Sequence, residues 1–560
     1  MLRSKRSVLA AAVLTALGGG LLSATPAQST DAASAAAARV AAAARPNVVF
    51  ILSDDMRVDD LRFAPNVRKI IGRQGVTFDN SFSPFPLCCP ARASFLTGQY
   101  AHNHKVYWHE APFGYGAFDD RKTIGTSMHA AGYSTGFIGK YLNLYGVARS
   151  RISGRPSYKF VPPGWDYWQA AVENPHNAGF HGSTYNYFDT PFNVNGRIVN
   201  KYRGRYQSDV IGDMSIAMAK RFSKAGKPFF MDVNYVAPHH GGPHEADDPK
   251  KYTPSAGRGN VVLVTPARPK WVRGKFDSVI RRGAGIAKRG EKVERDMSDK
   301  PRRFRRSYRT FSAKNLSDIR EVTRQRAESV YVMDKNIGRL VTALKKMGEW
   351  DNTVLVFTSD NGLLLGEHGQ ADTKVWTHEP SLRVPTLVTG PGMRSGEHRY
   401  DPISTVDLTA TILDIADAAP PHPADGISRL PELQQGDHGW STAVLMENIN
   451  TATRPRRDKA FRDRRSGIGV RTSRYSYTRY ADRAVELYDL VKDPRENRSV
   501  AHSARYRNVR RALDRVWRQL KDCDGAECRV QLPPLLAADT DRNAGNTRAY
   551  WHKLHRYYSW

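Results

Sequence analysis

The sequence predicts an α/β protein: a large sheet buried between helices, followed by a small antiparallel subdomain. Three observations predict it. Apolar runs at 47–52, 132–138, 227–235 and 353–358 read as strands covered on both faces, the first and last being unbroken and rich in β-branched residues. Residues 313–347 carry Val322, Val330, Met333, Ile337, Leu340 and Leu344 at helical spacing, and Gly348 closes that helix. Past the proline-rich run 418–423, residues 467–477 and 484–490 read as antiparallel strands, with a turn at Asp493-Pro494. A chain of 560 residues suffices for a large α/β domain and a smaller one.

The elements divide the chain as follows. Arg3, Lys5 and Arg6 precede the apolar run 8–22 and the small residues 23–27, so 1–27 reads as an export signal. That run is too short and glycine-rich to span a bilayer, and no later segment has the length. The chain is expected to be secreted or extracytoplasmic and not an integral membrane protein. An Ala-rich spacer (28–45) leads to a large main domain (46–418), a C-terminal subdomain (419–535) and a polar tail (536–560) ending in basic and aromatic residues. Short helices are expected at 67–71 and 123–131. Cys523 and Cys528 enclose a short loop containing Gly525, which in an exported protein reads as a disulfide. The formal charge is +30, and residues 257–310 hold 17 Lys/Arg against 5 Asp/Glu. This favours polyanions such as sulfated polysaccharide or an anionic cell wall. Nucleic acid is not an expected partner outside the cell. The basic stretch also reads as a solvated surface loop, and both readings stay open.

Several expected strands end on groups that carry chemistry, at the carboxyl ends where open α/β sheets place their sites. Asp54 and Asp55 follow the first strand, and two adjacent carboxylates repel unless a cation neutralises them. Lys140 and His239-His240 follow the second and third, and Asp360-Asn361 the fourth. Between them lies Cys88-Cys89-Pro90-Ala91-Arg92. Pro90 suits a first helical turn, so Cys88 is expected just ahead of a helix N-terminus, where a thiol's pKa is depressed. Arg92, one turn on, can fork onto an anion or orient residue 88. Each group also has a plainer reading: buried thiols, capping aspartates, a turn, a structural histidine.

Cys88-x-Pro90-x-Arg92 followed by Leu96-Thr97-Gly98 resembles the activation motif of the sulfatase family. The resemblance implies an alkaline-phosphatase-like sandwich, with a large mixed sheet between helices. It implies that a formylglycine-generating enzyme oxidises Cys88, and that the hydrated aldehyde attacks sulfur. Asp54, Asp55, residue 88, Asp360 and Asn361 would hold a metal; an acidic all-oxygen set suits Ca²⁺, with Mg²⁺ possible, rather than zinc. Arg92, Lys140 and Lys374 would hold the sulfate. His239 or Lys374 would protonate the leaving alcohol, with His240 as the alternate. Three positions depart from the pattern: Ala91 replaces a usual Ser, His378 a common Tyr, and Leu142 the usual base for sulfate release. That base would then be His239 again, or water. Gly139-Lys140-Tyr141-Leu142-Asn143 with Tyr145-Gly146, Pro162–Asp166 and Tyr185-Asn186-Tyr187 is similar to the N-acetylglucosamine-6-sulfatase branch. The expected activity is sulfate-ester hydrolysis on sulfated saccharides. Two alternatives are a phosphate or phosphonate ester hydrolase of the same fold, and a non-catalytic protein binding polyanionic glycans.

Overall fold

The computed structural model describes residues 45–291, 294, 296–449 and 463–558. The expected export signal, the spacer up to residue 44 and Trp560 lie outside them. The main sheet is built from β1 (Asn47–Ser53), β2 (Val76–Phe78), β3 (Ser134–Lys140), β4 (Tyr167–Ala171), β5 (Phe192–Val194), β6 (Arg197–Val199), β7 (Phe229–Asn234), β8 (Thr353–Ser359), β9 (Thr386–Thr389) and β10 (Glu397–Arg399). Among the described residues it has ten strands, in the order β10-β2-β9-β8-β1-β7-β3-β4-β5-β6. The central five, β8 to β4, are parallel, and antiparallel pairs flank them. The expected mixed sheet is thus present, and its four site-bearing strands are neighbours.

Both faces of the sheet are covered, which is why its central strands read as apolar runs. Along β1, Val49 and Ile51 enter one core, while Val48, Phe50 and Leu52 enter the other. On the first face lie α2 (Gln207–Ala225) and the long α4 (Ala313–Lys346), through residues such as Met218, Val330 and Met333. On the second lie α1 (Cys88–Thr97) and α5 (Thr405–Ile415), through Phe95, Leu96, Leu408 and Ile412. A one-turn helix, α3 (Arg302–Ser307), breaks the basic stretch.

The structure corrects three local expectations. Helix α1 begins on Cys88 itself, with Leu87 as its extended N-cap, so Cys88 is the first helical residue rather than the one ahead of it, while Pro90 does lie in the first turn. Nothing is lost, because none of the first-turn N–H groups has an intrahelical partner. The expected helix at 67–71 is a π-helix over Val67–Gly72. The strand expected at 132–138 is shifted to Ser134–Lys140, so Lys140 is its last residue. Gly139 has φ +94°, and a Cβ there would lie 1.8 Å from the Asn234 carbonyl oxygen. Only glycine lets β3 approach β7 this closely.

The C-terminal sheet is β11 (Val444–Asn448), β12 (Gly467–Arg471), β13 (Tyr475–Tyr480) and β14 (Val485–Asp489), all antiparallel. Helix α6 (Arg507–Leu520) packs on it, and Cys523 and Cys528 are bonded, S–S 2.04 Å. Buried ion pairs join this sheet to the body: Arg471 Nε–Glu379 Oε1 at 2.7 Å, His102 Nδ1–Glu447 Oε1 at 2.8 Å and His378 Nε2–Glu486 Oε1 at 3.5 Å. The tail is largely a helix, α7 (Thr540–Tyr557), whose Tyr550, Leu554 and Tyr557 pack with Tyr488 and Leu490.

Candidate active site

The carboxyl ends of β8, β1, β7 and β3 converge on the first turn of α1. Cys88 Sγ lies 3.2 Å from Asp54 Oδ1 and 3.8 Å from Asp55 Oδ1. Lys374 Nζ donates to Cys88 Sγ at 2.9 Å and to Asp55 Oδ1. Lys140 Nζ donates to Asp54 Oδ2. Arg92 donates through Nε to Asp360 Oδ2 at 2.8 Å, and through Nη1 to the Lys140 carbonyl at 2.8 Å and Asn234 Oδ1 at 3.0 Å. Its Nη2 has no hydrogen-bond partner and lies 3.9 Å from Asp54 Oδ2. Asn361 Nδ2 donates to Asp55 Oδ1 at 2.6 Å. His239 Nε2 stands 3.7 Å from Asp55 Oδ2. The adjacent His240 turns to the surface, stacked on His239 with centroids 4.1 Å apart. Every residue expected at the site is therefore in one cluster, at the ends of adjacent strands or on the α1 and 374 segments.

The charges nearly balance, three carboxylates against three cations, almost all out of water. Burial alone would push the Asp55 carboxyl up; Lys374, His239 and Lys140 outweigh it and hold it below the ordinary carboxylate range. Burial and the neighbouring Asp54 push Asp360 up to about 6. Burial lowers Lys374, but Asp55 and Cys88 more than restore it, so it stays firmly protonated. The thiol differs from expectation: burial and Asp54 raise the Cys88 pKa well above its usual value. The helix N-terminus does not win, because burial dominates and Asp54, 3.2 Å from the sulfur, adds to it, against the smaller opposite pull of Lys140 and Lys374.

The donor set fits a hard divalent cation. One atom each from Asp54, Asp55, Cys88 and Asp360 lies within 4.8 Å of the others. Asn361 Oδ1 is buried with no partner, an orphan that a cation would satisfy. Carboxylate and amide oxygens suit Ca²⁺ or Mg²⁺.

A model of the sulfatase family matches residues 46–418, and the N-sulphoglucosamine sulphohydrolase C-terminal model matches 366–523. The chain belongs to the sulfatase family. The goat (Capra hircus) N-acetylglucosamine-6-sulfatase is 26% identical over 522 residues, 87% of this chain and 85% of that one. The extracellular sulfatase SULF-1 homolog of Drosophila melanogaster is 28% identical over 421 residues, 72% of this chain. The chain spans only 33% of that protein's length. A protein solved in complex with its substrate D-glucosamine-2-N,6-O-disulfate superposes with TM-score 0.63 at 23% identity, covering 86% of this chain and 99% of that one. The phosphonate monoester hydrolase of Agrobacterium radiobacter superposes with TM-score 0.57 at 23% identity, covering 88% and 99%. At these identities the structures establish the fold alone.

At two of the departures from the family motif, Leu142 and His378, the structure shows where the residue goes. Leu142 is buried in the core on the α1 face. Asn143 donates through Nδ2 to Tyr185 Oη at 2.7 Å. Tyr185 then lies over Lys140 Nζ at 5.1 Å and beside His239 at 5.0 Å between ring centroids. His378 is not at the site; it is buried between Phe304 and Glu486. Sequence reasoning did not assign Tyr185, Asn234 or Arg326 to the site. Arg326 donates to the Asp55 carbonyl at 2.6 Å and to Asp60 Oδ2 at 2.9 Å, fixing the turn after β1. Asp55 has φ +63°, so that turn needs fixing. His109, its Nδ1 buried and unpartnered, is pushed down to about 4 by burial and by Lys374, and was also missed.

Proposed function

We propose that the chain hydrolyses sulfate esters of exported or environmental sulfated saccharides, 6-sulfated N-acetylglucosamine being the first substrate to test. The observation that carries this reading is residue 88. Its side chain starts a helix, touches two carboxylates and is held by Lys374 at 2.9 Å, beside an orphaned amide oxygen. The goat enzyme's name and the family motif support the choice of sugar. Asp54, Asp55, Asp360 and Asn361, with residue 88, would hold Ca²⁺ or Mg²⁺, whose charge offsets that of the sulfate oxygens. Oxidised to formylglycine by a generating enzyme during maturation, residue 88 supplies as its hydrate the attacking oxygen and a second hydroxyl that expels sulfate. The signal-like segment at 1–27, three basic residues followed by an apolar run, supports export.

The chain's own residues divide the remaining work. Arg92 holds Asp360, Asn234 and the Lys140 carbonyl, which leaves Nη2 to face the reacting group. Lys374 touches residue 88 and stays protonated, so it is placed to donate to the leaving oxygen. His239 donates from Nδ1 to the His240 carbonyl at 2.7 Å, which fixes the proton on Nδ1 and leaves Nε2 as an acceptor. In this tautomer His239 is a base rather than an acid. Burial, which pushes it down to about 3, keeps the ring neutral and so without an Nε2 proton to give. His239 therefore takes the proton at sulfate release, in place of the histidine that Leu142 lacks.

The test is mass spectrometry of the Cys88 peptide from native exported protein, with turnover of 4-nitrophenyl sulfate and of 6-sulfated N-acetylglucosamine. Formylglycine at 88 with sulfate release is expected. An intact thiol and no release would overturn the reading in favour of a glycan-binding protein. The shared fold with a phosphonate monoester hydrolase supports a second reading. Faster turnover of an aryl phosphonate than of the aryl sulfate would establish it.

A further inference from the structure

Beside Lys374 opens a cleft of about 490 Å³ that the reading above does not use. Its lining includes Arg303, Arg306, Arg309 and Lys374, with Trp108 and Trp376. No described Asp or Glu lines it. The arginines come from the basic stretch, and the structure shows why they stand here. Phe304 is fully buried, stacked on His378 with centroids 4.6 Å apart and edge-on to Trp376 at 4.8 Å. This pins α3 to the segment that carries Lys374. The Arg309 backbone N–H donates to the Gly369 carbonyl at 2.9 Å, fixing the exit of the loop. Arg309 itself is held by the carbonyls of Asn260, Arg306 and Tyr308, not by a carboxylate.

The three arginines, half-buried at 303 and 309 and exposed at 306, differ from the buried arginines of the molecule. Arg57, Arg268, Arg383, Arg465 and Arg471 each hold a carboxylate. Among the described residues Arg303 pairs with none, and its Nη1 is buried without any hydrogen-bond partner. Burial with no compensating anion lowers its guanidinium below the ordinary range. Arginines gathered in a cleft with no carboxylate among them make a local positive field that draws in an anion. Guanidinium forks match the planar or tetrahedral oxygens of carboxylate and sulfate. Two indole rings in the wall suit the apolar faces of sugar rings.

We propose that this cleft binds a second anionic group, a sulfate or carboxylate on the sugar adjoining the one whose ester is cut. The substrate is then a polyanionic oligosaccharide rather than a singly sulfated sugar. The inference rests on the proposed hydrolysis for its geometry: the scissile group sits at residue 88, and Lys374 is the residue shared by the inner site and the cleft.

The experiment uses two readouts so that the two claims fail separately. Calorimetric titration of a Cys88→Ala protein with a sulfated disaccharide measures binding without turnover. Arg303→Ala with Arg306→Ala is expected to weaken Kd by about tenfold to a hundredfold. The wild-type affinity is expected to fall steeply with salt, and Arg303→Lys with Arg306→Lys to recover part of the loss. In the active protein, the double alanine variant should lose at least about tenfold more kcat/KM on the disaccharide than on 4-nitrophenyl sulfate, through KM. Disaccharides whose second sugar carries only a carboxylate, only a sulfate, or neither separate the two anions. Binding that is unchanged by the double substitution, or equal for the neutral and anionic second sugar, would overturn the proposal. Arginine-dependent binding without any sulfate release would keep the cleft and refute the hydrolase.

Discussion

The inner site and the outer cleft lie side by side on Lys374, and they treat charge in opposite ways. At the inner site Asp54, Asp55 and Asp360 are each engaged by Lys140, Lys374 or Arg92. In the cleft the arginines have no acidic partner among the described residues. The inner site rises from strand ends, whose positions the whole sheet dictates. The cleft comes from a one-turn helix pinned by one phenylalanine. A matched cluster is pre-organised: its charges are already fixed when substrate arrives, which is what chemistry on an anion needs. An unmatched cluster attracts whatever brings the missing charge, and so selects.

That contrast orders the expected effects. Cys88→Ala removes the reacting side chain, and turnover of any sulfate ester should fall by about 10³-fold or more. Measurable multiple turnover in that variant would put the chemistry elsewhere. Asp360→Asn takes one charge from the donor set and one anchor from Arg92, and should cost about 10²-fold to 10³-fold together with bound Ca²⁺ measured by elemental analysis. If it cost no more than Arg306→Ala, the distinction between the two regions would fail. Tyr185→Ala should cost about tenfold, and Tyr185→Phe only a few-fold, because the ring over Lys140 matters more than its hydroxyl. An equal loss in both variants would assign the effect to the Asn143 contact instead.

A third set of matched charges bears on stability rather than chemistry. Burial pushes Glu379, Glu447 and Glu486 up, but Arg383 and Arg471, His102 and Arg465, and His378 and Lys300 respectively outweigh it, leaving each at about 2. Their folded pKa values lie below the unfolded one of about 4.3. The stability they contribute is present above that value and is lost as pH falls from about 4.5 towards 2. Thermal melts across that range should show Tm dropping, and Glu447→Gln should flatten the drop. A Tm independent of pH there would mean these pairs do not tie the C-terminal sheet to the body.

Much of the inner site was legible because it follows a rule of position: in a covered parallel sheet, chemistry sits at carboxyl ends. Asp54, Asp360 and His239 all stand just past runs that announce buried strands, and Lys140 ends one. Long-range contacts leave no such mark. Tyr185 reaches Lys140 from a loop 45 residues away in sequence, and Arg326 reaches Asp55 from the middle of a helix whose pattern records only packing. The thiol's raised pKa was misjudged for the same reason. The helix N-terminus is local and visible; Asp54 and Asp55 reach the sulfur through tertiary structure. The basic stretch announced its charge, but only Phe304 against His378 and Trp376 turns that charge into a cleft.

The burial of Cys88 also sets an order of events. Its side chain is 2% exposed, at the first residue of a helix roofed by Lys374 and the loop around it. No second enzyme can present its own catalytic centre to that sulfur once the sheet has formed. The conversion proposed for residue 88 would therefore take place while 84–98 is still an open peptide, during synthesis or export. On that proposal, a host that folds this chain without having treated it first would produce a protein correct in every contact and inactive.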